Sequence, residues 1–211
     1  MQLQRRVEMI QRKKNKKENT SKKRIEKLII GLLNELGENP DREGLVGTPA
    51  SIAEMYQEIF AGYRMNDDAE LDVSFVSEEI DAIVVKDIRF YSMCEHHMLP
   101  FYGKIQIVYI PSGKVFGISK LNHVVERYAR RLQIQERLTR QIADALIAGM
   151  EVKGISVVVE AKHLCMKMRG VRNDSSVITE CNRGVMEQKE FREHVVPLIH
   201  TSAEPKLRTV V

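Results

Sequence analysis

The chain has no tryptophan and only three cysteines, and no apolar run in its 211 residues approaches the roughly 18–20 needed to cross a bilayer. An odd, sparse set of cysteines, Cys94, Cys165 and Cys181, is not the framework of a disulfide-stapled secreted domain, so their sulfur is expected to act as thiol or metal ligand. The N-terminus is a Lys/Arg run without the apolar stretch of a signal peptide, and a cytoplasmic protein with no membrane partner is expected. With 43% hydrophobic and 29% charged residues, wholesale disorder and collagen-like or mucin-like composition are excluded, leaving one ordinary globular core with an appendage.

The net charge of +4 is unevenly spread. Residues 1–24 carry ten Lys and Arg against Glu8 and Glu18, which puts +8 on this segment and leaves −4 on the rest. Without interleaved aromatics such a run reads as a solvated, disordered tail, and no nucleic-acid partner is expected for it.

Beyond the tail, Ile25, Leu28, Ile29, Leu32, Leu33 and Leu36 recur at helical spacing, with Gly37 as the stop and Pro40 beyond it. Thr48-Pro49 reads as N-cap and first residue of a second helix closed by Gly62. Stretches 73–76, 82–91, 104–110 and 115–118 read as strands, the last two joined into a hairpin by Pro111-Ser112-Gly113-Lys114. Ser119 caps an expected helix to about Arg131, and another runs from about Gln135 to Met150. Residues 154–161 and 163–169 read as a second strand pair, 172–184 as a polar connection, and Phe191 to Ile199 as a last helix ending near Pro197. This order predicts an α+β fold with an antiparallel β-sheet and helices on one face. The expected divisions are a tail over 1–24, a helical region over 25–72, a catalytic domain over 73–203 and a loose end over 204–211.

Cys94-Glu95-His96-His97 falls where a strand is expected to end. Cys94 and His97 lie three apart, so a tight turn brings thiolate and imidazole onto one ion, and this donor pair suits Zn²⁺. On a strand His163 and Cys165 would face one side and supply further donors. Three protein ligands and one open position describe a catalytic zinc. Against this stands the usual fate of an isolated Cys or His as a buried, satisfied core group, but four such residues in two clusters, in a chain with six His, favour the metal. The His-x-Glu and Pro-Cys-x-x-Cys of zinc deaminases and the helical His-Glu-x-x-His are absent.

Two weaker patterns complete the set. Gly117-Ile118-Ser119-Lys120 leads a strand into a helix N-terminus that can hold an anion, although taken alone a plain capping Ser with a solvated Lys is the favoured reading there. Gln135-Glu136 offers an amide and a carboxylate suited to a guanine edge, or merely to the helix dipole.

Four segments together resemble the GTP cyclohydrolase I family: Phe90-Tyr91-Ser92-Met93-Cys94-Glu95-His96-His97, Gly117-Ile118-Ser119-Lys120-Leu121, the run Arg130 to Thr139, and His163-Leu164-Cys165-Met166-Lys167-Met168-Arg169-Gly170. The resemblance runs from about residue 25 to 199. It implies the tunnelling fold, a toroidal homodecamer with active sites between subunits, and conversion of GTP to 7,8-dihydroneopterin triphosphate and formate. It further implies that Cys94, His97 and Cys165 hold Zn²⁺, that His96 and His163 are the acid–base pair, that Gln135 and Glu136 meet the guanine, and that Ser119, Lys120 and Arg169 meet the triphosphate. Two positions depart from the family, which usually carries arginines tied to the triphosphate where this chain has Ser51 and His123. The segment Val177 to Gly184 is also poorer in Thr and Ser than is usual. A cyclohydrolase for a related, less phosphorylated purine nucleotide or nucleoside, or a silent scaffold subunit stabilised by zinc, are the competing expectations.

Overall fold

The computed structural model describes residues 20–65, 74–76, 82–191 and 193, and the chain forms two compact units, 1–61 and 62–211.

In the first unit, helix α1 covers 20–35 and α2 spans Thr48–Ile59. Gly37 at φ 81° ends α1 in the left-handed conformation. Its N–H donates to the Asn34 carbonyl and that of Glu38 to the Leu33 carbonyl, which satisfies groups a helix end otherwise strands. Of the predicted stripe, Ile25, Ile29 and Leu33 are covered, whereas Leu28, Leu32 and Leu36 remain exposed. At α2 the cap is Gly47 rather than Thr48: Thr48 is already helical, its side chain makes no capping bond, and Pro49 occupies the first turn where a missing N–H costs nothing. The basic segment falls mainly on 1–19, outside the described residues.

The second unit is built on a five-stranded sheet with a separate two-stranded one. Strand β1 is Ser74–Val76, β2 Ile83–Cys94, β3 Pro100–Pro111, β4 Lys114–Phe116, β5 Leu132–Gln133, β6 Val152–His163 and β7 Ser176–Gly184. The sheet order is β5-β2-β3-β6-β7, antiparallel except where β5 runs parallel to the end of β2. Helices α3 (Ile118–Ala129) and α4 (Gln135–Gly149) cover one face, α3 over β2 and α4 over β6 and β7. Phe90, Phe101, Ile105, Ile107, Ile155, Val157 and Val159 meet Leu121, Val125, Leu138, Ile142 and Leu146 in a dry core. Each such side chain, fully buried, contributes about 1.5–3 kcal/mol of transfer free energy. Alternate residues of the same strands, Arg89, Tyr91, Lys104, Glu160 and Lys162, point away from the helices and are exposed.

Four further expectations are corrected. First, β4 does not pair with β3 across the 111–114 turn but with β1, because β3 is already flanked by β2 and β6 and offers no edge. Second, 163–169 is not extended. Residues Leu164–Lys167 form a short helix α5, with the Met168 N–H on the Leu164 carbonyl at 3.0 Å, as suits a Leu-Cys-Met-Lys run without β-branched residues. Third, the polar stretch contains β7, an edge strand whose alternating half-burial needs little apolar content. Fourth, Ser119 does not cap α3. Gly117 takes that place, and Ser119 lies within the first turn. Of the last helix, 189–191 and 193 are helical, while Val195 to Ile199 lie outside the described residues.

Candidate active site

Strand β2 ends on Cys94, which is 5% exposed, and the chain then turns through Glu95-His96-His97-Met98. The turn is closed by the Met98 N–H on the Cys94 carbonyl at 2.8 Å and by the Cys94 N–H on the Leu99 carbonyl at 2.9 Å. Met98 adopts φ 51°, the left-handed conformation that lets the chain double back into β3. Because β3 pairs with both β2 and β6, the end of β6 lies beside this turn, and α5 carries Cys165 toward it. The ligand atoms of Cys94, His97 and Cys165 all lie within 4.8 Å of one another. Two sulfurs and one imidazole nitrogen so placed fit a borderline-soft ion. Burial, followed by the neighbouring Cys94 thiol, pushes the Cys165 thiol pKa up. His96 projects from the same turn, exposed, with Nδ1 3.9 Å from Cys94 Sγ.

His163, the last residue of β6, is half-buried. Its ring stacks on its register partner Phe101 at 4.8 Å and 2°. Burial pushes its pKa down, opposed by the negative charge of Glu136. His163 Nε2 is 2.8 Å from Gln135 Oε1.

The Gln135 amide has its orientation fixed by its surroundings. The side chain is 2% exposed, and its Nε2 donates toward the Val159 carbonyl at 3.0 Å, the Val177 carbonyl at 2.8 Å and Thr179 Oγ1 at 3.2 Å. Carbonyls only accept, so the amide nitrogen must face the sheet and the amide oxygen must face His163. It follows that His163 Nε2 carries the hydrogen and that Nδ1 is the nitrogen free to exchange a proton. Thr139 Oγ1 donates to the Gln135 carbonyl at 2.8 Å, so in its 2.6 Å contact with Thr179 the latter is the donor.

Glu136, next to Gln135, is exposed in the first turn of α4. Arg169 follows α5, exposed, and its positive charge favours the Cys165 thiolate. Among the described residues, no hydrogen bond or ion pair joins Ser119 or Lys120 to this cluster. They lie in the first turn of α3, whose first residue, Ile118, lies beside Val85–Arg89 of β2, at least five residues before Cys94. His123 is exposed on the same helix, and Ser51 is exposed on α2.

Several contributors carried no sequence signal. The Phe101 platform is an ordinary core aromatic until its register with His163 is known. Thr139 and Thr179 lie 40 residues apart and meet only because α4 packs on β7. Glu95 makes a two-pronged contact with Arg137, at 2.6 and 2.8 Å, that joins the metal turn to α4.

Residues 25–200 match the family model described as GTP cyclohydrolase I. The chain is 48% identical over 178 residues to GTP cyclohydrolase 1 of Clostridium kluyveri, covering 83% of this chain and 96% of that protein. It is 51% identical over 166 residues to GTP cyclohydrolase 1 of Carboxydothermus hydrogenoformans, covering 78% and 86%. Among solved structures, the apo form of an archaeosine synthase QueF-Like is similar at 20% identity and a TM-score of 0.38, covering 49% of this chain and 95% of that one.

Proposed function

Because the chain belongs to the GTP cyclohydrolase I family of hydrolases, we propose that it opens the guanine imidazole ring of GTP at C8, giving 7,8-dihydroneopterin triphosphate and formate. The observation that carries this reading is the Cys94–His97–Cys165 group with His163 fixed beside it.

Cys94, His97 and Cys165 fit Zn²⁺ and would hold it with one coordination position left open. The ion, when bound, supplies Lewis acidity that makes a water a competent nucleophile near neutral pH. The remaining work falls to side chains. Glu136, exposed at the start of α4, accepts from the ring N–H and exocyclic amine of guanine. Gln135 turns its amide inward and serves the base by fixing His163. His163 first takes up a second proton at Nδ1, and as the imidazolium it hands that proton to an imidazole nitrogen of the base as the water oxygen adds at C8, while Nε2–H stays bonded to Gln135. His96, exposed beside Cys94, takes up and returns protons as the ring C–N bond breaks and formate leaves. Arg169 lies close enough to Cys165 to bind a phosphate at the mouth of the site.

Ser119 and Lys120 lie in the first turn of α3, outside the group formed by Cys94, His97 and Cys165, which accords with a site completed by another copy within a toroidal homodecamer. The exposed Leu28, Leu32 and Leu36 of α1 support self-association as well. No described helix is long and apolar enough to cross a membrane, and cytoplasmic function in pterin or folate synthesis accords with this chemistry. A second reading, a cyclohydrolase for a less phosphorylated purine, is favoured by one feature: Ser51 and His123 replace two cations of the usual phosphate pocket.

Incubating the purified protein with GTP, GMP and guanosine, and measuring formate and the fluorescent pterin formed on oxidation, tests both. Turnover of GTP alone supports the first reading, and equal turnover of guanosine the second. Formate from none of the three refutes both.

A further inference from the structure

The turn that carries two of the three metal ligands is short and largely exposed, since His96, His97 and Met98 all face solvent. The packing of those side chains does not hold it in place. Two ties connect it instead to the segment leading into α4: the Glu95 N–H donates to the Gln133 carbonyl at 3.0 Å, and the Glu95 carboxylate receives both terminal nitrogens of Arg137, at 2.6 and 2.8 Å. The Gln133 end of this segment is already registered against Cys94 in the parallel β2–β5 pair. Arg137 belongs to the first turn of α4, directly after Gln135 and Glu136.

We infer that Glu95 and Arg137 are a positioning pair that holds the metal-ligand turn and the base-binding start of α4 in one fixed relation. The inference rests on the function proposed above only for its effect on turnover, since its effect on the turn is independent of substrate. A planar guanidinium facing a planar carboxylate through two bonds fixes orientation as well as distance, which a single ammonium contact does not. Both side chains are about a third exposed, at 34% for Arg137 and 30% for Glu95, so such a pair adds little to global stability. Its value lies in order: His97 meets the ion without first having to immobilise residues 95–98, and Glu136 is presented at a set distance from the metal. Supporting groups of this kind typically contribute ~10–100-fold to metal affinity or activity.

The test uses the full-length protein with Glu95→Gln, Arg137→Gln and the double variant, and three readouts. Chelator competition should show zinc held ~10–100-fold more weakly in each single variant, with the double variant no worse than either. Amide exchange of Met98 and Cys94, measured with zinc removed, should accelerate in all three, while core amides of β3 and β6 keep wild-type protection as the check on folding. With zinc saturating, kcat should fall more than KM changes, and Arg137→Lys, which keeps the charge but not the fork, should recover only part of the loss. Wild-type zinc affinity and turn exchange in Glu95→Gln overturn the inference. So does Arg137→Gln acting only on KM, which would make Arg137 a substrate-binding group. A wild-type protein that binds zinc but releases no formate from GTP would refute the proposed function and leave the pair to be judged from zinc affinity and exchange.

Discussion

Gly103 lies in the first half of β3, opposite Ala161 of β6, and a methyl group there has nowhere to go. A Cβ built on it falls 1.9 Å from the Glu160 carbonyl oxygen and 2.8 Å from Ala161 Cα, both backbone atoms. Ordinary contact begins near 3.4 Å, so in Gly103→Ala the two strands must part by more than an ångström. Ladder strands lie ~4.7–4.9 Å apart, and widening the gap to roughly 6 Å stretches the flanking N–H···O bonds beyond use. Losing two of them costs about 2 kcal/mol at ~1 kcal/mol each, and the overpacking itself adds roughly 1–3 kcal/mol. The expected destabilisation is ~3–5 kcal/mol. With a urea slope of ~2 kcal/mol/M, the unfolding midpoint should fall by roughly 1.5–2.5 M at matched protein concentration. The same displacement moves His163 relative to Phe101, which pair two residues along the ladder. Misplacement by about 1 Å can cost ~10²-fold in rate, so formate release should drop at least tenfold where the variant is still folded. A midpoint within ~0.3 M of wild type would show that the strands accept the methyl group without moving, and the close approach would lose its significance.

The remaining predictions concern the site directly. Metal analysis should find zinc lost from Cys94→Ala and Cys165→Ala but retained in Cys181→Ala, whose thiol is half-buried on β7 opposite Val157. His163→Ala and His96→Ala should keep zinc and lose turnover by ~10²–10⁴-fold each, and near-normal formate release at saturating substrate would return the residue to a packing role. If His123 faces the triphosphate in the assembly, His123→Arg should lower KM for GTP by ~10–100-fold, the value of one charge-assisted hydrogen bond, and leave guanosine unaffected. No change with GTP would place His123 away from the phosphates.

The Cys94–His97–Cys165 group is legible from spacing and softness of donors, yet the structure reaches it by a different step. Cys165 was expected to reach the site as the i+2 neighbour of His163 on a strand, whereas it does so from a helical turn that begins immediately after His163. Residue chemistry survived a misjudged local conformation because either geometry leaves Cys165 within one turn of the end of β6. Burial patterns misled where a segment has only one covered face: β7 has too few apolar residues to announce itself, and its pairing with β6 is visible only in three dimensions. The Pro-Ser-Gly-Lys segment does reverse the chain, with Gly113 at φ 82°, but a turn does not require the strand after it to pair with the strand before it. Likewise, no local pattern could pair Glu95 with Arg137, 42 residues apart, or aim Gln135 inward rather than at a base.

The inward amide of Gln135 also makes two adjacent positions respond oppositely to drift. Glutamate is the nearest isostere of glutamine, differing by one terminal group, and by shape alone the exchange would be judged mild. At 135 it would set an oxygen against the Val159 and Val177 carbonyls, where three acceptors now converge on one amide nitrogen, and the lone pairs would repel unless the acid stayed protonated. The neighbouring Glu136 is solvent-facing, and its exchange for glutamine should leave the fold intact and, under the function proposed above, alter only recognition of the base. In a survey of tolerated variants, position 135 should therefore behave like a core residue and position 136 like a ligand contact, despite their similar side chains.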